Sequence, residues 1–460
     1  MAGRDFLLIA DAVAPLGNGV SAVGASGLSR ALAALGHRAT VLTLASVEAA
    51  SRVPGLARRL RTVTATVGAE TRELAFYEGR ASLSDARLLV LAAPVLPARA
   101  EAAAILAGAT RALAADRLIA PEVAIGWGES SAAALSATSA ATRLFVLPTG
   151  RTGAPLGPEE AATLGPLLLG DDSASHSLVA LGCLGAHAII APSPSAARAT
   201  ESDPGLASRP SDEPIISVRF GCDDPPNDPA TDPALPAPFN AGKLSQKAEC
   251  RRALARRCSL AIGPRTLLLT TGPLGRDAGT DAILAAIERL APYDLVTIIV
   301  PRGEPEAIER AQLLALRQPG RVALLSGTDP ADERFARGAA DAILLGDDHD
   351  RIGRSAGLAL LYGTLPIVPD VGANHDYLVD YDPASRTGQA ILYSADTPFE
   401  IESGVRRALT LRADGDVWGP LVKSLMDGAP RWSATAATLA EIVEQTIAEV
   451  PLTTSRNDAP

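Results

Sequence analysis

The chain has 460 residues, too many for one ordinary hydrophobic core, so its length favours two or three domains. Its formal net charge of −10 argues against a nucleic-acid-binding protein, which needs clustered Lys and Arg. The four cysteines have no C-x-x-C spacing, and no apolar run is long enough to span a bilayer. We therefore expect free thiols, no metal centre, no membrane segment and a cytoplasmic location.

The first half of the chain alternates short apolar runs with Ala-rich amphipathic stretches. The predicted strands are 6–10, 39–44, 87–92, 123–125, 144–147 and 186–191, and the predicted helices between them are 26–35, 100–115 and 131–139. The run 192–195 (Pro-Ser-Pro-Ser) indicates a turn and the start of a further helix. Alternation at this spacing predicts βαβ units around a parallel sheet.

Residues 200–245 are rich in Pro, Asp and Ser, which is typical of a linker. A second βα series then follows, with predicted helices at 247–257, 281–290, 304–316, 332–338 and 353–362 and predicted strands at 266–270, 296–300, 322–325, 342–344 and 366–368. A last helix is predicted at 434–449. The polar end of the chain, 451–460, is predicted to be a disordered tail.

This order predicts an α/β protein with two doubly wound, Rossmann-like domains that face a cleft. The predicted domains are 1–245, which ends in the linker, and 246–430, and we expect the helix within 431–450 to return to the first domain. Ligands of open parallel sheets bind beyond the carboxyl ends of the strands, so the cleft is the expected site.

Several segments, in one order, resemble the bacterial glycogen and starch synthases. The run 227–235 is similar to their "N-P-A-T-D" connector, 29–37 to "L-P-x-A-L-A-x-L-G-H", and 361–368 (LYGTLPIV) to a helix-to-strand segment near their second-domain site. The resemblance implies a GT-B fold and retaining transfer of glucose from a nucleotide-glucose donor, such as ADP-glucose, to an α-glucan. It implies no metal and no other cofactor.

The resemblance places the donor diphosphate at two loops of the second domain. The family has an Arg and a Lys in "S-R-L-x-x-Q-K-G", whereas this chain has Pro273 and Ala278 at those positions. Arg276 and Gly279 are the remaining candidates for phosphate binding here. The alternative is that Arg276 is simply a solvated surface residue.

The family's "E-P-C-G-L-T-Q" loop corresponds to 350–356, where Asp350 stands in for the family's acidic residue and is the candidate catalytic group. Arg351, Gly353, Arg354 and Ser355 are candidate phosphate contacts, since guanidinium groups bind phosphate in bidentate fashion. Alternatively, the two arginines only neutralise the acidic residues at 347, 348 and 350.

In the first domain, Gly19 matches a glycine of the family's phosphate-facing turn. This glycine-rich turn either allows a ligand close to the backbone or only joins a strand to a helix. Where the family has "H-x-H-D-W-H", this chain lacks both histidines but has Trp127 and Glu129 as candidate sugar contacts. Trp127 either stacks on a sugar or fills the core.

Three functions remain open on the sequence. The chain is an active glycosyltransferase with a rebuilt donor site, an inactive relative that acts as a glucan-binding or scaffold module with a protein partner, or a transferase of altered specificity. Because the replaced residues face the leaving group, we expect no ordinary elongation from ADP-glucose.

Overall fold

The computed structural model describes residues 3–17, 19–80, 86–149, 153–167, 177–203, 206, 215–275, 279–327, 329–346, 352–394 and 397–449. These residues form two compact units, Met1–Arg219 with Trp432–Pro460, and Phe220–Arg431. The boundary between Arg219 and Phe220 lies earlier than the predicted boundary at 245/246, because Leu235 and Phe239 are buried in the core of the second unit. The predicted tail 451–460 lies outside the described residues.

The first unit is built on a nine-stranded sheet with the order β3-β4-β5-β2-β1-β6-β7-β8-β9. β3 and β4 pair antiparallel with each other, β4 pairs antiparallel with β5, and the other neighbours are parallel. The strands are β1 Asp5–Ala10, β2 Arg38–Ser46, β3 Ala57–Val67, β4 Glu70–Arg80, β5 Arg87–Ala93, β6 Val123–Trp127, β7 Thr142–Val146, β8 Ala188–Ala191 and β9 Ile215–Ser217.

Helices cover the parallel strands, which explains why those strands are almost continuously apolar. The helices of this part of the chain are α1 Val20–Ala34, α2 Val47–Arg52, α3 Arg99–Ala115, α4 Ala132–Ser136, α5 Pro158–Leu164, α6 Leu178–Gly185 and α7 Pro194–Glu201. Ser193 caps α7 through its side chain, as the Pro-Ser-Pro-Ser turn predicted.

The second unit has a six-stranded parallel sheet with the order β12-β11-β10-β13-β14-β15. Its strands are β10 Thr266–Leu274, β11 Leu295–Gly303, β12 Val322–Leu324, β13 Ala342–Leu344, β14 Leu365–Pro369 and β15 Ile391–Tyr393. Its helices are α8 Ser245–Arg257, α9 Thr280–Arg289, α10 Pro305–Arg317, α11 Pro330–Ala339, α12 Arg354–Leu361, α13 Gly372–Tyr377, α14 Pro398–Ala413 and α15 Gly415–Asp427.

The last helix, α16 (Trp432–Glu449), belongs to the first unit, which confirms the predicted return. It packs against α1, where Gly27 leaves room for the buried Trp432 indole; a Cβ at Gly27 would overlap that ring. Arg4 also fixes α16 by donating to Glu444, with 2.6 Å between Nε and Oε1. The predicted α/β class with two doubly wound units is therefore confirmed.

Candidate functional site

In each sheet, successive strands are added first on one side of the unit's first strand and then on the other. In the second unit the reversal lies between β10 and β13, and in the first unit it lies between β1 and β6. The loops that follow these four strands are where a doubly wound sheet binds its ligand. The candidate residues that the structure describes lie in these loops or at the ends of the adjoining elements.

A hydrogen bond from a backbone N–H to a side-chain hydroxyl joins the two described ends of the loop after β10. The Gly275 N–H donates to the Thr280 hydroxyl at 2.8 Å, and Gly279 precedes α9 with φ 63°, a conformation that favours glycine. Pro273 is exposed near the end of β10 and brings no charge. Arg276 lies outside the described residues, so its two interpretations remain predictions.

The loop after β13 is described at residues 345–346 and again from residue 352 onwards, so Asp350 and Arg351 also lie outside the described part of the chain. Gly353 precedes α12 with φ 73° and is buried. Gly353 and Gly279 thus occupy equivalent positions in the two loops at the reversal point.

Arg354, the first residue of α12, makes a two-pronged ion pair with Asp224. Its Nη1 and Nη2 lie 2.9 and 3.0 Å from the two carboxylate oxygens, and the Asp224 side chain is only 2% exposed. Neither alternative from the sequence foresaw this partner, which lies 130 residues away in the chain. Ser355 follows as the second residue of α12 and is partly buried.

Three helices begin at the reversal points behind a left-handed glycine and without a side-chain cap. They are α1 behind Gly19 (φ 95°), α9 behind Gly279 and α12 behind Gly353. The amino end of a helix carries a positive partial charge and backbone N–H groups that bind anions. The loops of each unit therefore retain backbone groups suited to a phosphate, whatever their side chains contribute.

Gly19 lies at the exposed end of its turn, where a Cβ would meet no atom within 4 Å. The next glycines have a different role. A Cβ at Gly24 would come within 2.5 Å of the Trp127 ring, and Gly27 faces Trp432. Within α1, these glycines make room for indole rings of the core.

Trp127 ends β6 and is completely buried. Its indole N–H donates to the Ser21 carbonyl at 2.9 Å, and its ring lies 6.1 Å from that of Trp432. The structure therefore shows the second of the two interpretations: Trp127 fills the core and offers no ring face to a sugar.

Glu129 is one-third exposed at the same edge of the sheet. Its Oε2 lies 3.6 Å from Nη1 of Arg99, which makes closer bonds to Glu160, at 2.7 Å from Nε to Oε1. A Cβ at Gly153 would come within 2.5 Å of the Glu129 carboxylate. Glu129 is thus held at the loop surface, where it remains a candidate for contact with a sugar hydroxyl.

Asp11, directly after β1, is a functional candidate that the sequence reasoning missed. The Ser130 N–H donates to Asp11 Oδ1 at 2.6 Å, and Gly128 (φ 88°) has no room for a Cβ beside this carboxylate. Burial raises the pKa of Asp11 to about 6, although the bonds from Ser130 oppose the rise. Its position as the first polar residue after an apolar strand was the available signal.

The chain is similar in sequence to glycogen synthases. Over 241 residues the chain is 30% identical to a glycogen synthase of Methylocella silvestris. This match covers 52% of the present chain and 50% of that protein. Over 213 residues it is 32% identical to a glycogen synthase of Anaeromyxobacter dehalogenans, covering 46% of this chain and 44% of that one. The matched regions thus span about half the length of these relatives.

The fold agrees as well. The catalytic domain of starch synthase IV from Arabidopsis thaliana, solved with ADP and acarbose, superimposes with a TM-score of 0.81 over 97% of this chain and all of that chain, at 18% identity. The chain therefore has the GT-B fold, and about half of it is similar in sequence to glycogen synthases. No family model matches it.

The connector that carries the family resemblance is a structural element of the second unit. Asp232 is fully buried, accepts the Tyr362 hydroxyl at 2.5 Å and pairs with Nε of Arg334 at 3.2 Å. Backbone hydrogen bonds fold the connector on itself, for example from the Phe239 N–H to the Pro229 carbonyl at 2.8 Å. From Phe220 onwards, the Pro-rich segment is therefore an ordered loop packed on the second unit. Its internal hydrogen bonds satisfy backbone groups that a helix or strand would otherwise pair.

Lys247, on α8, joins the ends of two other helices. Its Nζ donates to the Tyr362 carbonyl at 2.9 Å, to the Thr364 hydroxyl at 3.0 Å and to the Gly338 carbonyl at 3.3 Å. Burial lowers its pKa to about 7, although Asp341 opposes the change. Lys247 is thus occupied in holding α11 and α12 together.

In the described ranges, no group of three or more His, Cys, Asp or Glu side chains is placed to hold a metal ion. No described helix is long and apolar enough to cross a membrane.

Proposed function

We propose that this chain is a slow glycosyltransferase of the glycogen synthase type, which binds a nucleotide-glucose donor and an α-glucan acceptor. Its donor site holds the diphosphate chiefly through backbone N–H groups at the starts of α9 and α12. The observation that carries the proposal is the pairing of Arg354 with Asp224, together with the uncharged, exposed Pro273 on the neighbouring loop.

The relatives and the retained scaffold support the donor and acceptor classes. The matched proteins are glycogen synthases, and the starch synthase structure contains ADP and acarbose. In this chain both glycine-led helix starts that would receive a diphosphate are present. The donor base and sugar remain part of the proposal.

The low rate follows from the electrostatics of the leaving group. Departure of a nucleoside diphosphate increases negative charge on its oxygens, and each lost preorganised donor costs roughly 10²–10³ in kcat. Arg354 is already bound to a buried carboxylate, so it does not supply a free positive charge at this point. Backbone amides still favour the anion, but with partial charges only.

The pairing of Arg354 with Asp224 also favours a second candidate function, an inactive module that binds glucan or a protein partner. Burial of Trp127 removes one aromatic platform that a transferase would use for sugar. Under this alternative the second unit would keep its fold without binding nucleotide.

Calorimetric titration of the purified chain with ADP and with maltoheptaose separates these candidates. We expect ADP binding, and we expect Asp224→Asn to tighten it about tenfold, because Arg354 loses its anionic partner and becomes able to contact phosphate. Asp223→Asn is the matched control, since this neighbouring carboxylate lies near Arg431 rather than Arg354.

Binding of maltoheptaose without ADP would support the inactive module instead. Binding of neither ligand would contradict the transferase and would favour a module that binds a protein partner. Transfer of labelled glucose to glycogen that disappears in Asp350→Ala would identify Asp350 as the acidic residue of the reaction.

The proposal includes a cytoplasmic location. All four cysteines are free thiols in the structure, and Cys183, Cys222 and Cys250 are buried, which suits a reducing compartment.

A further inference from the structure

Asn374, the third residue of α13, is a buried polar side chain that the fold of the second unit does not use. It is only 3% exposed, and its amide Oδ1 accepts no hydrogen bond from any residue that the structure describes. Nearly all buried polar groups in folded proteins are paired, because an unpaired one lowers the stability of the fold. The burial of this amide therefore needs a reason other than stability.

The local backbone does not supply that reason. The Asn374 N–H donates to the Val371 carbonyl at 3.1 Å, and the Asn374 carbonyl accepts the Leu378 N–H at 2.9 Å, so both main-chain groups are satisfied without the amide. The next polar residue, His375, lies at the surface with its Nδ1 2.8 Å from Oδ1 of Asp370. Asparagine is also an unfavourable residue inside a helix unless its side chain is used.

α13 lies beside the start of α12. It follows β14, whose parallel neighbour is β13, so α12 and α13 both begin at the carboxyl edge of the sheet. A Cβ at Gly353 would lie 3.5 Å from the Ala373 Cβ and 4.0 Å from the Ala373 carbonyl oxygen. Since Ala373 directly precedes Asn374, the unpaired amide belongs to the residue next to the one that contacts this helix start.

The chemistry of an amide suits the neutral part of a nucleotide-sugar donor. The sugar is bonded to the terminal phosphate, so a diphosphate at the start of α12 would bring the sugar hydroxyls close to α13. An amide oxygen accepts a hydrogen bond from a hydroxyl but carries no net charge, so it contributes little to the binding of the diphosphate itself. A few polar groups of this kind fix the orientation and specificity of a small ligand.

We propose that Asn374 binds a hydroxyl group of the transferred hexose and thereby distinguishes the nucleotide sugar from the free nucleotide. The inference rests on the proposed function, because it needs a diphosphate at the start of α12. It adds a sugar-specific residue that the sequence did not indicate.

Calorimetric titration of the full chain with ADP and, separately, with ADP-glucose tests this role. Leucine has nearly the volume of asparagine but no hydrogen-bonding group. In Asn374→Leu we expect the affinity for ADP-glucose to fall about tenfold and the affinity for ADP to stay within about twofold, because only the sugar loses a hydrogen bond. Asn374→Ala should show the same selective loss.

Gln389→Leu is the matched control. The Gln389 amide is already used within the fold, since its Nε2 donates to the Tyr377 carbonyl at 3.2 Å. Both affinities should therefore stay unchanged in this variant.

Thermal unfolding of the same variants gives a measurement that does not depend on a ligand. Asn374→Leu should keep or raise the unfolding midpoint, because it removes an unpaired polar group from the interior. Gln389→Leu should lower the midpoint, because it removes a hydrogen bond that the fold makes. A lowered midpoint for Asn374→Leu would show that the amide stabilises the fold, and the inference would be wrong.

Two results of the titrations would overturn the inference directly. They are unchanged ADP-glucose binding in both Asn374 variants, and an equal loss of affinity for ADP and for ADP-glucose. Failure of the unchanged chain to bind ADP would instead contradict the proposed function, and the role of Asn374 would fall with it.

Discussion

In the second unit, the connector at 227–235 and the loops after β10 and β13 use their charged residues in different ways. In the connector, Asp232 is buried against Arg334 and Tyr362 and holds the unit together. In the described part of the loops, Arg354 is directed to Asp224, and Pro273 is uncharged. Asp232 thus stabilises the fold, whereas we propose that the two loops lack charged groups free to meet a diphosphate.

Replacing Asp232 gives the strongest test of whether the connector stabilises the second unit. Asp232→Ala leaves Arg334 and the Tyr362 hydroxyl without their buried partner, so we expect the free energy of unfolding to fall by about 3–5 kcal/mol. Chemical denaturation measures the change. Asp228→Ala is the control, since Asp228 only accepts the Ala230 N–H within the connector, and about 1 kcal/mol is expected.

A small change on denaturation of Asp232→Ala would mean that the connector is retained for another reason, and the comparison would fail.

A second prediction concerns the glycines of α1, which the sequence left open between ligand contact and structure. Gly27→Ala should lower the free energy of unfolding by about 1–3 kcal/mol, because its Cβ overlaps the buried Trp432 ring. Gly157→Ala, where a Cβ has 3.7 Å of space, should change it by less than about 1 kcal/mol.

Thermal unfolding of both variants, with ADP affinity measured in parallel, decides the matter. An unchanged stability with weakened ADP binding in Gly27→Ala would restore the ligand-contact interpretation.

The lowered pKa of Lys247 predicts that the stability of the fold depends on pH. Its folded pKa of about 7 lies below the ordinary value of 10.5, so the unfolded chain binds more protons between these values. The contribution of Lys247 to stability therefore rises as the pH increases above 7, by up to about 1.4 kcal/mol per pH unit.

Denaturation at several pH values from about 7 to 9.5 measures this slope. It should be lost in Lys247→Met and kept in Lys243→Met, since Lys243 is exposed. Equal slopes in the two variants would show that Lys247 is not the group that titrates.

The sequence was sufficient to predict the two-unit fold and most of the parallel strands, because strands such as β1 and β10 are short apolar runs separated by helical stretches; it did not yield the three-residue strands β9 and β15. It also did not yield β3 and β4, which begin with exposed stretches rich in charged residues and pair antiparallel at the sheet edge. A half-solvated hairpin gives a weaker hydrophobic signal than a strand buried on both faces.

The candidate site was only partly predictable. The positions of Gly279 and Gly353 before their helices follow from local sequence, since a glycine before an amphipathic run indicates a left-handed turn. The partner of Arg354 and the burial of Asp11 depend on residues far away in the chain, Asp224 and Ser130. Neither could be read from local patterns.

The most direct test of the account is the rate of labelled glucose transfer from ADP-glucose to glycogen by the unchanged chain and by a Pro273→Arg/Ala278→Lys variant. We expect little transfer by the unchanged chain and a gain of at least about tenfold in the variant, because two cations would stand beside the diphosphate. Pro273→Gln/Ala278→Gln should show no gain. Rapid transfer by the unchanged chain, or no difference between the two double variants, would contradict the account.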